Sequence, residues 1–221
     1  MRIKFSILFF TVFFTFLSAQ EPKEYETEIY KNRMLQFVEE GLKQDQIIFL
    51  GNSLTQGGKW EIYFPKQKPI NRGIVGDNTE GILARIDDIA VSKPSKLFLL
   101  MGINDISQNR NNDYICENIR KIVAAVHDKS PETVIYLQSV LPINNDFGRY
   151  KRLIGKEKQI ENLNRKLKKY CKKGNVDFVN LYPSFLLKRR LLDPKYTNDG
   201  LHLNDVGYEI WVEKIRKLVE E

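Results

Sequence analysis

Short apolar runs alternate with longer amphipathic segments along this chain, and that alternation constrains its fold more than any other feature. The runs fall at residues 47–50, 97–101, 134–137 and 177–181, with a weaker one at 70–74, each bounded by polar or turn-forming residues. Brief apolar runs of this kind suit strands buried on both faces. The segments at about 32–44, 78–90, 113–129, 150–173 and 205–221 instead repeat their apolar positions at helical spacing. Strands alternating with helices imply parallel strands joined by right-handed crossovers. The predicted class is therefore α/β, a doubly wound three-layer sandwich around a central, mostly parallel sheet of five strands. Ligands of such sheets bind beyond the carboxyl ends of the strands. The polar stretches 102–112, 142–148 and 193–204, read as loops, are where a cleft is expected.

The amino terminus has a different logic. Arg2 and Lys4 precede an apolar stretch at 5–17, followed by Ser18 and Ala19. This is the order of a secretory signal peptide, here residues 1–19 with cleavage after Ala19. The stretch is shorter than the ~20 residues a bilayer span needs, and no cysteine follows it for lipid attachment. The expectation is export to a periplasm or medium, with no stable membrane insertion after cleavage. Residues 20–221 are then enough for a single domain with a full core.

The formal net charge of +7 is unevenly spread. Arg149, Lys151, Arg152, Lys156, Lys158, Arg165, Lys166, Lys168, Lys169, Lys172 and Lys173 crowd one region. A solvated helix face is the plainer reading; attraction of acidic substrates or membrane headgroups is the sharper one. Nucleic acid is not an expected partner, given the export signal and the lack of a reading motif. Cys116 and Cys171 each share an apolar helical stripe, which favours buried free thiols over a disulfide. With His127 and His202 as the only histidines, a three-histidine zinc site cannot be built, and neither a metal nor a cofactor is expected.

The chemistry begins at "IIFLGNSLTQGG", residues 47–58, where the first strand delivers Ser53 to a turn at its carboxyl end. A serine hydroxyl needs an adjacent base, and the base needs an orienting group. His202 lies in "NDGLHLNDVGY" with Asp199 three residues earlier, close enough on one loop to form an acid–histidine pair. Thr55 stands where the G-x-S-x-G elbow of α/β-hydrolases would require glycine. Instead "GNSLT" (51–55), "NRGIVGDNT" (71–79), "GIND" (102–105) and "DGLH" (199–202) resemble, in order, the four blocks of the SGNH, or GDSL-type, hydrolase family.

That resemblance implies the flavodoxin-like fold of the family, with Ser53 as nucleophile, His202 as general base and Asp199 as its orienting carboxylate. It implies an oxyanion hole from the backbone N–H groups of Ser53 and Gly76 and the side-chain amide of Asn104. One departure is Asn52, where the family usually has aspartate. Asn52, Trp60 and Asn78 are candidates for substrate contact, and Trp60 serves equally well as a core residue. The blocks are most similar to those of acetylhydrolases and carbohydrate O-acetylesterases. The expected protein is thus an exported serine esterase acting on short acyl, chiefly acetyl, esters of small molecules or glycans. The alternatives are a lysophospholipase or thioesterase of the same family, and a non-catalytic carbohydrate-binding module on a hydrolase scaffold. A rim carrying Ser107, Gln108, Asn109, Asn111, Asn112, Asn144, Asn145, Asp146 and Asn198 is expected to favour hydroxyl-rich ligands.

Overall fold

All five apolar runs form strands: β1 (Ile47–Gly51), β2 (Ile70–Gly73), β3 (Lys96–Leu100), β4 (Val134–Gln138) and β5 (Val176–Val179). The structure is a computed structural model and describes residues 23–172, 174, 176–187 and 190–221. The stretch 1–19, read above as a signal peptide, lies outside them. The strands are ordered β2-β1-β3-β4-β5, and every neighbouring pair is parallel. The chain thus winds outward in one direction from β1 to β2 and in the other from β3 to β5. The reversal falls between β1 and β3, where Gly51 pairs with Leu100, and a crevice opens at such a switch point.

The helices are α1 (Glu28–Glu40), α2 (Ser53–Gln56), α3 (Trp60–Tyr63), α4 (Thr79–Val91), α5 (Ile103–Ser107), α6 (Asn112–Lys129), α7 (Glu157–Cys171) and α8 (Asp205–Glu220). Strand side chains alternate between the faces of the sheet, and the core divides accordingly. Ile48, Leu50, Leu97 and Leu99 join Ile82 and Ile86 of α4, Ile119 and Ile122 of α6 and Leu163 of α7. Phe49, Phe98 and Leu100 join Trp60 and the α8 residues Trp211 and Ile215 on the opposite face. Cys116 and Cys171 are both buried, free thiols in the first cluster. No described helix is long and apolar enough to cross a membrane.

Several predicted boundaries move, the lead helix expected at about 32–44 running instead from Glu28 to Glu40. The segment expected to be helical from 150 begins its helix only at Glu157, because Gly155 adopts φ +74° and ends a separate short turn at Lys151–Leu153. The expected loop 102–112 contains α5, too short to show a periodicity in the sequence.

Candidate active site

Glycine sets the close packing at the end of β1. A Cβ on Gly73 would lie 2.2 Å from the backbone nitrogen of Gln56, and one on Gly51 would lie 2.6 Å from the carbonyl of Leu100. Without side chains there, α2 packs tightly across the strand ends and places Ser53 in its first turn, above the switch point. Asn52 caps α2 by accepting from Leu54 N at 3.0 Å. The N–H of Ser53 makes no hydrogen bond to any described residue, as befits the first turn of a helix, whose N–H groups lack intrahelical partners.

The loop before α8 supplies the other two predicted residues. Asp199 Oδ1 accepts from the backbone nitrogens of Leu201 (2.9 Å) and His202 (2.7 Å), folding the carboxylate back on its own turn. Its Oδ2 lies 2.8 Å from His202 Nδ1, and His202 Nε2 lies 2.9 Å from Ser53 Oγ. An imidazole with its proton on Nδ1 therefore offers a lone pair to the serine hydroxyl. The geometry brings Ser53, His202 and Asp199 into one hydrogen-bonded relay. Burial pushes the Asp199 carboxyl upward, but the His202 side chain, the Leu201 and His202 N–H groups and Tyr150 together outweigh it and hold the group well below the usual carboxylate range.

Tyr150 is the residue that sequence reasoning missed. Its hydroxyl donates to Asp199 Oδ2 at 2.8 Å, and its oxygen lies 3.0 Å from His202 Nδ1. Burial, reinforced by the Asp199 charge, pushes the phenol up to about 12, so it remains a neutral donor. No spacing rule marks it, since it lies about fifty residues away in sequence and within a segment that reads as helix.

Two other predicted groups complete the cleft. Gly76 adopts φ +80°, a conformation that side-chain-bearing residues rarely take. Its N–H makes no hydrogen bond to a described residue, whereas the flanking Val75 N donates to Gln56 Oε1 and Asp77 N to the carbonyl of Ile74. Asn104 Nδ2 donates to the carbonyl of Asp77 at 2.8 Å; its second N–H remains for a ligand. Asp77 is in turn fixed by Arg85, whose Nη2 lies 2.7 Å from Oδ2. Ser53, Gly76, Asn104 and His202 all line one cleft of about 440 Å3, with Val75, Leu153 and Leu201 as its apolar wall.

The three candidate substrate contacts are corrected. Asn52, Trp60 and Asn78 are each no more than 1% exposed and do not line the cleft. Asn52 uses Oδ1 as a helix cap, while its buried Nδ2 has no partner among the described residues. Trp60 stacks on Phe49 at 4.1 Å and donates to the carbonyl of Thr55, making it a core residue. Asn78 caps α4 through Gly81 N and donates to Gln108, so both its polar ends are committed. The expected asparagine rim is likewise corrected, because only Ser107 of that set lines the cleft. Asn111 caps α6, Asn112 donates to the carbonyl of Gln159, and Asn144 is buried and donates to the carbonyl of Leu192. Among the described residues no group of three or more acidic, histidine or cysteine side chains is placed to hold a metal ion.

Comparison with known proteins agrees with this fold. The GDSL-like Lipase/Acylhydrolase family matches residues 49–210. The human platelet-activating factor acetylhydrolase IB subunit alpha1 is 23% identical over 75% of this chain and 71% of its own length. A GDSL-like lipase from Bacteroides thetaiotaomicron superposes with a TM-score of 0.76 at 27% identity, covering 86% of this chain and 97% of that one. An acetylxylan esterase from Geobacillus stearothermophilus, solved as a catalytic mutant, shares the fold with a TM-score of 0.64 at 18% identity, covering 80% of this chain and 95% of the other. The family match runs from within β1, across the cleft residues, to the first turns of α8, and the chain belongs to the GDSL-like lipase/acylhydrolase family.

Proposed function

We propose that the protein is an exported serine esterase that removes short acyl groups, acetyl foremost, from carbohydrate-type alcohols. The observation that carries the reading is the Ser53–His202–Asp199 relay opening into a cleft beside three free hydrogen-bond donors. Ser53 Oγ attacks the ester carbonyl while His202 Nε2 takes its proton. The developing oxyanion is met by the N–H groups of Ser53 and Gly76 and the amide of Asn104. As the C–O bond breaks, His202 returns the proton to the alcohol, leaving an acyl-serine. Water then attacks that ester by the same route, with His202 again as base, and releases the carboxylic acid and free Ser53.

The preference for a short acyl group is supported by the size of the cleft, about 440 Å3, whose apolar side chains are Val75, Leu153 and Leu201. A fatty chain gains about 0.8 kcal/mol for each methylene it buries, which requires a longer apolar groove. The names of an acetylhydrolase and an acetylxylan esterase among the similar proteins point the same way. Export is supported by the sequence of residues 1–19.

Ser53→Ala tests the mechanism. Hydrolysis of p-nitrophenyl acetate should fall by roughly four to six orders of magnitude while the fold persists, and a fluorophosphonate should label the wild type alone. A variant keeping a tenth of the wild-type turnover would refute the serine mechanism. Octanoate cleaved faster than acetate would favour a lysophospholipase or thioesterase.

A further inference from the structure

We infer that the alcohol portion of the substrate carries an anionic group, a carboxylate or a phosphate, received by Arg149, Lys151 and Arg152; this rests on the esterase reading of Ser53. The three cations line the same cleft as Ser53 and His202. They were expected on a solvated helix face, yet the helix starts only at Glu157 and these residues belong to the cleft wall.

Their placement follows from the two residues between and beside them. In the stretch "RYKRL", 149–153, Tyr150 is tied to Asp199 and His202 through its hydroxyl, and Leu153 is 2% exposed. Two anchors therefore hold the backbone against the site, while Arg149, Lys151 and Arg152 remain exposed between them. None of the three forms an ion pair with a described residue, although other cations of this region do: Lys166 pairs with Asp113 and Arg190 with Glu161. Among the described residues no carboxylate lines the cleft to offset them. The acids nearest in sequence are Asp146 and Glu157. Neither lines the cleft, and Glu157 accepts from Asn145 Nδ2. Among the described residues, the charged side chains that line the cleft besides the relay are thus three cations.

The side of the ester follows from the chemistry. His202 protonates the departing alcohol, so that alcohol leaves from the His202 side of the carbonyl. Tyr150 packs edge-on to His202 with ring centroids 5.8 Å apart, and the three cations, its neighbours in the chain, line the same cleft. Guanidinium groups match carboxylate and phosphate oxygens in a fork, and low-dielectric walls focus the field of the cluster on an incoming anion.

The test uses matched esters on the intact protein: 4-acetoxybenzoate and 4-acetoxyphenyl phosphate against the neutral 4-acetoxybenzamide. At low ionic strength kcat/KM for the better anionic ester should exceed that for the amide about tenfold, chiefly through KM, and the ratio should approach one near 1 M salt, where the Debye length is about 3 Å. Which anion is favoured identifies carboxylate or phosphate as the natural group. In the triple variant R149A/K151A/R152A the ratio should also approach one, and Lys151→Glu alone should lower it several-fold if the triple variant does not fold. A ratio near one in the wild type, or one unchanged in the variants, overturns the inference while leaving the esterase reading intact. Hydrolysis of none of the three esters, with Ser53 unlabelled by the phosphonate, overturns the reading and the inference with it.

Discussion

The oxygen of Tyr150 lies within hydrogen-bond reach of both Asp199 and His202, which makes it a positioning residue and not a participant in the chemistry. Asp199 has four donors among the described residues besides Tyr150: the imidazole, two backbone N–H groups and, at 3.4 Å, the Thr197 hydroxyl. Removing the phenol should therefore loosen the carboxylate and not release it. A hydrogen bond to a charged group contributes about 1.5–3 kcal/mol, but only the part lost more in the transition state than in the ground state slows the reaction. Tyr150→Phe, which keeps the ring against His202, should lower kcat roughly three- to tenfold with little change in KM for a neutral acetate ester. Steady-state kinetics on p-nitrophenyl acetate read the split; a loss as large as that of Ser53→Ala would make Tyr150 part of the chemical step. The contrast with Ser53, His202 and Asp199 is instructive. Those three were legible because turn residues beside a strand end and a helix start carry their own local signal, whereas Tyr150 reaches the site only through tertiary folding.

At the scale of elements, asparagine is the recurring device of this chain. Asn52, Asn78, Asn111 and Asn204 each cap the amino terminus of an α-helix by accepting a backbone N–H two or three residues on. Asn144 does the same for a short turn at Asn145–Phe147. Their amides look like ligand contacts in a sequence because capping and recognition draw on the same donors and acceptors, and only the backbone geometry tells them apart. Asn111 isolates the capping role, being exposed and outside the cleft. Its replacement by alanine should cost about 1 kcal/mol of stability, typical of a lost cap, measured as a lower urea midpoint, with kcat/KM unchanged. The long elements, by contrast, were read correctly from periodicity: all five strands, α4, α6 and α8 fall within a few residues of their predicted places. What stayed hidden were α2, α3 and α5, of four or five residues each, which are too short for a helical period. The segment at 149–156 misled for the opposite reason. Its lysines, arginines and tyrosine are tolerated in a helix, and only Gly155 hints that the chain bends.

Across the whole molecule, one buried ion pair joins the parts that the cleft depends on. Arg85 of α4 donates to Asp77 and also to the carbonyl of Gly51 at the end of β1 (3.3 Å), while Asp77 offers its own carbonyl to Asn104 of α5. Strand end, oxyanion turn and two helices thus meet at this one ion pair. Both partners are almost wholly buried. Burial pushes the Asp77 carboxyl up from 3.8 to about 6 despite the opposing pull of Arg85. The folded protein therefore binds this proton more tightly than the unfolded chain does. The stability it contributes is complete below the unfolded value of 3.8 and is lost as the pH rises through about 6. Asp199 has the reverse sign: its depressed value adds stability above the unfolded carboxylate range, which is lost only in stronger acid. Burial also raises Asp105, in the same sense as Asp77, so the wild-type profile alone would mix the two. Asp77→Asn separates them, since the amide keeps an acceptor oxygen for Arg85 and removes the titrating proton. Urea midpoints measured from about pH 4 to pH 7 should fall more steeply for the wild type than for the variant, with the two curves diverging through the Asp77 window. Parallel curves would mean that Asp77 stays ionised over the whole range and that its pairing with Arg85 outweighs the cost of burying it.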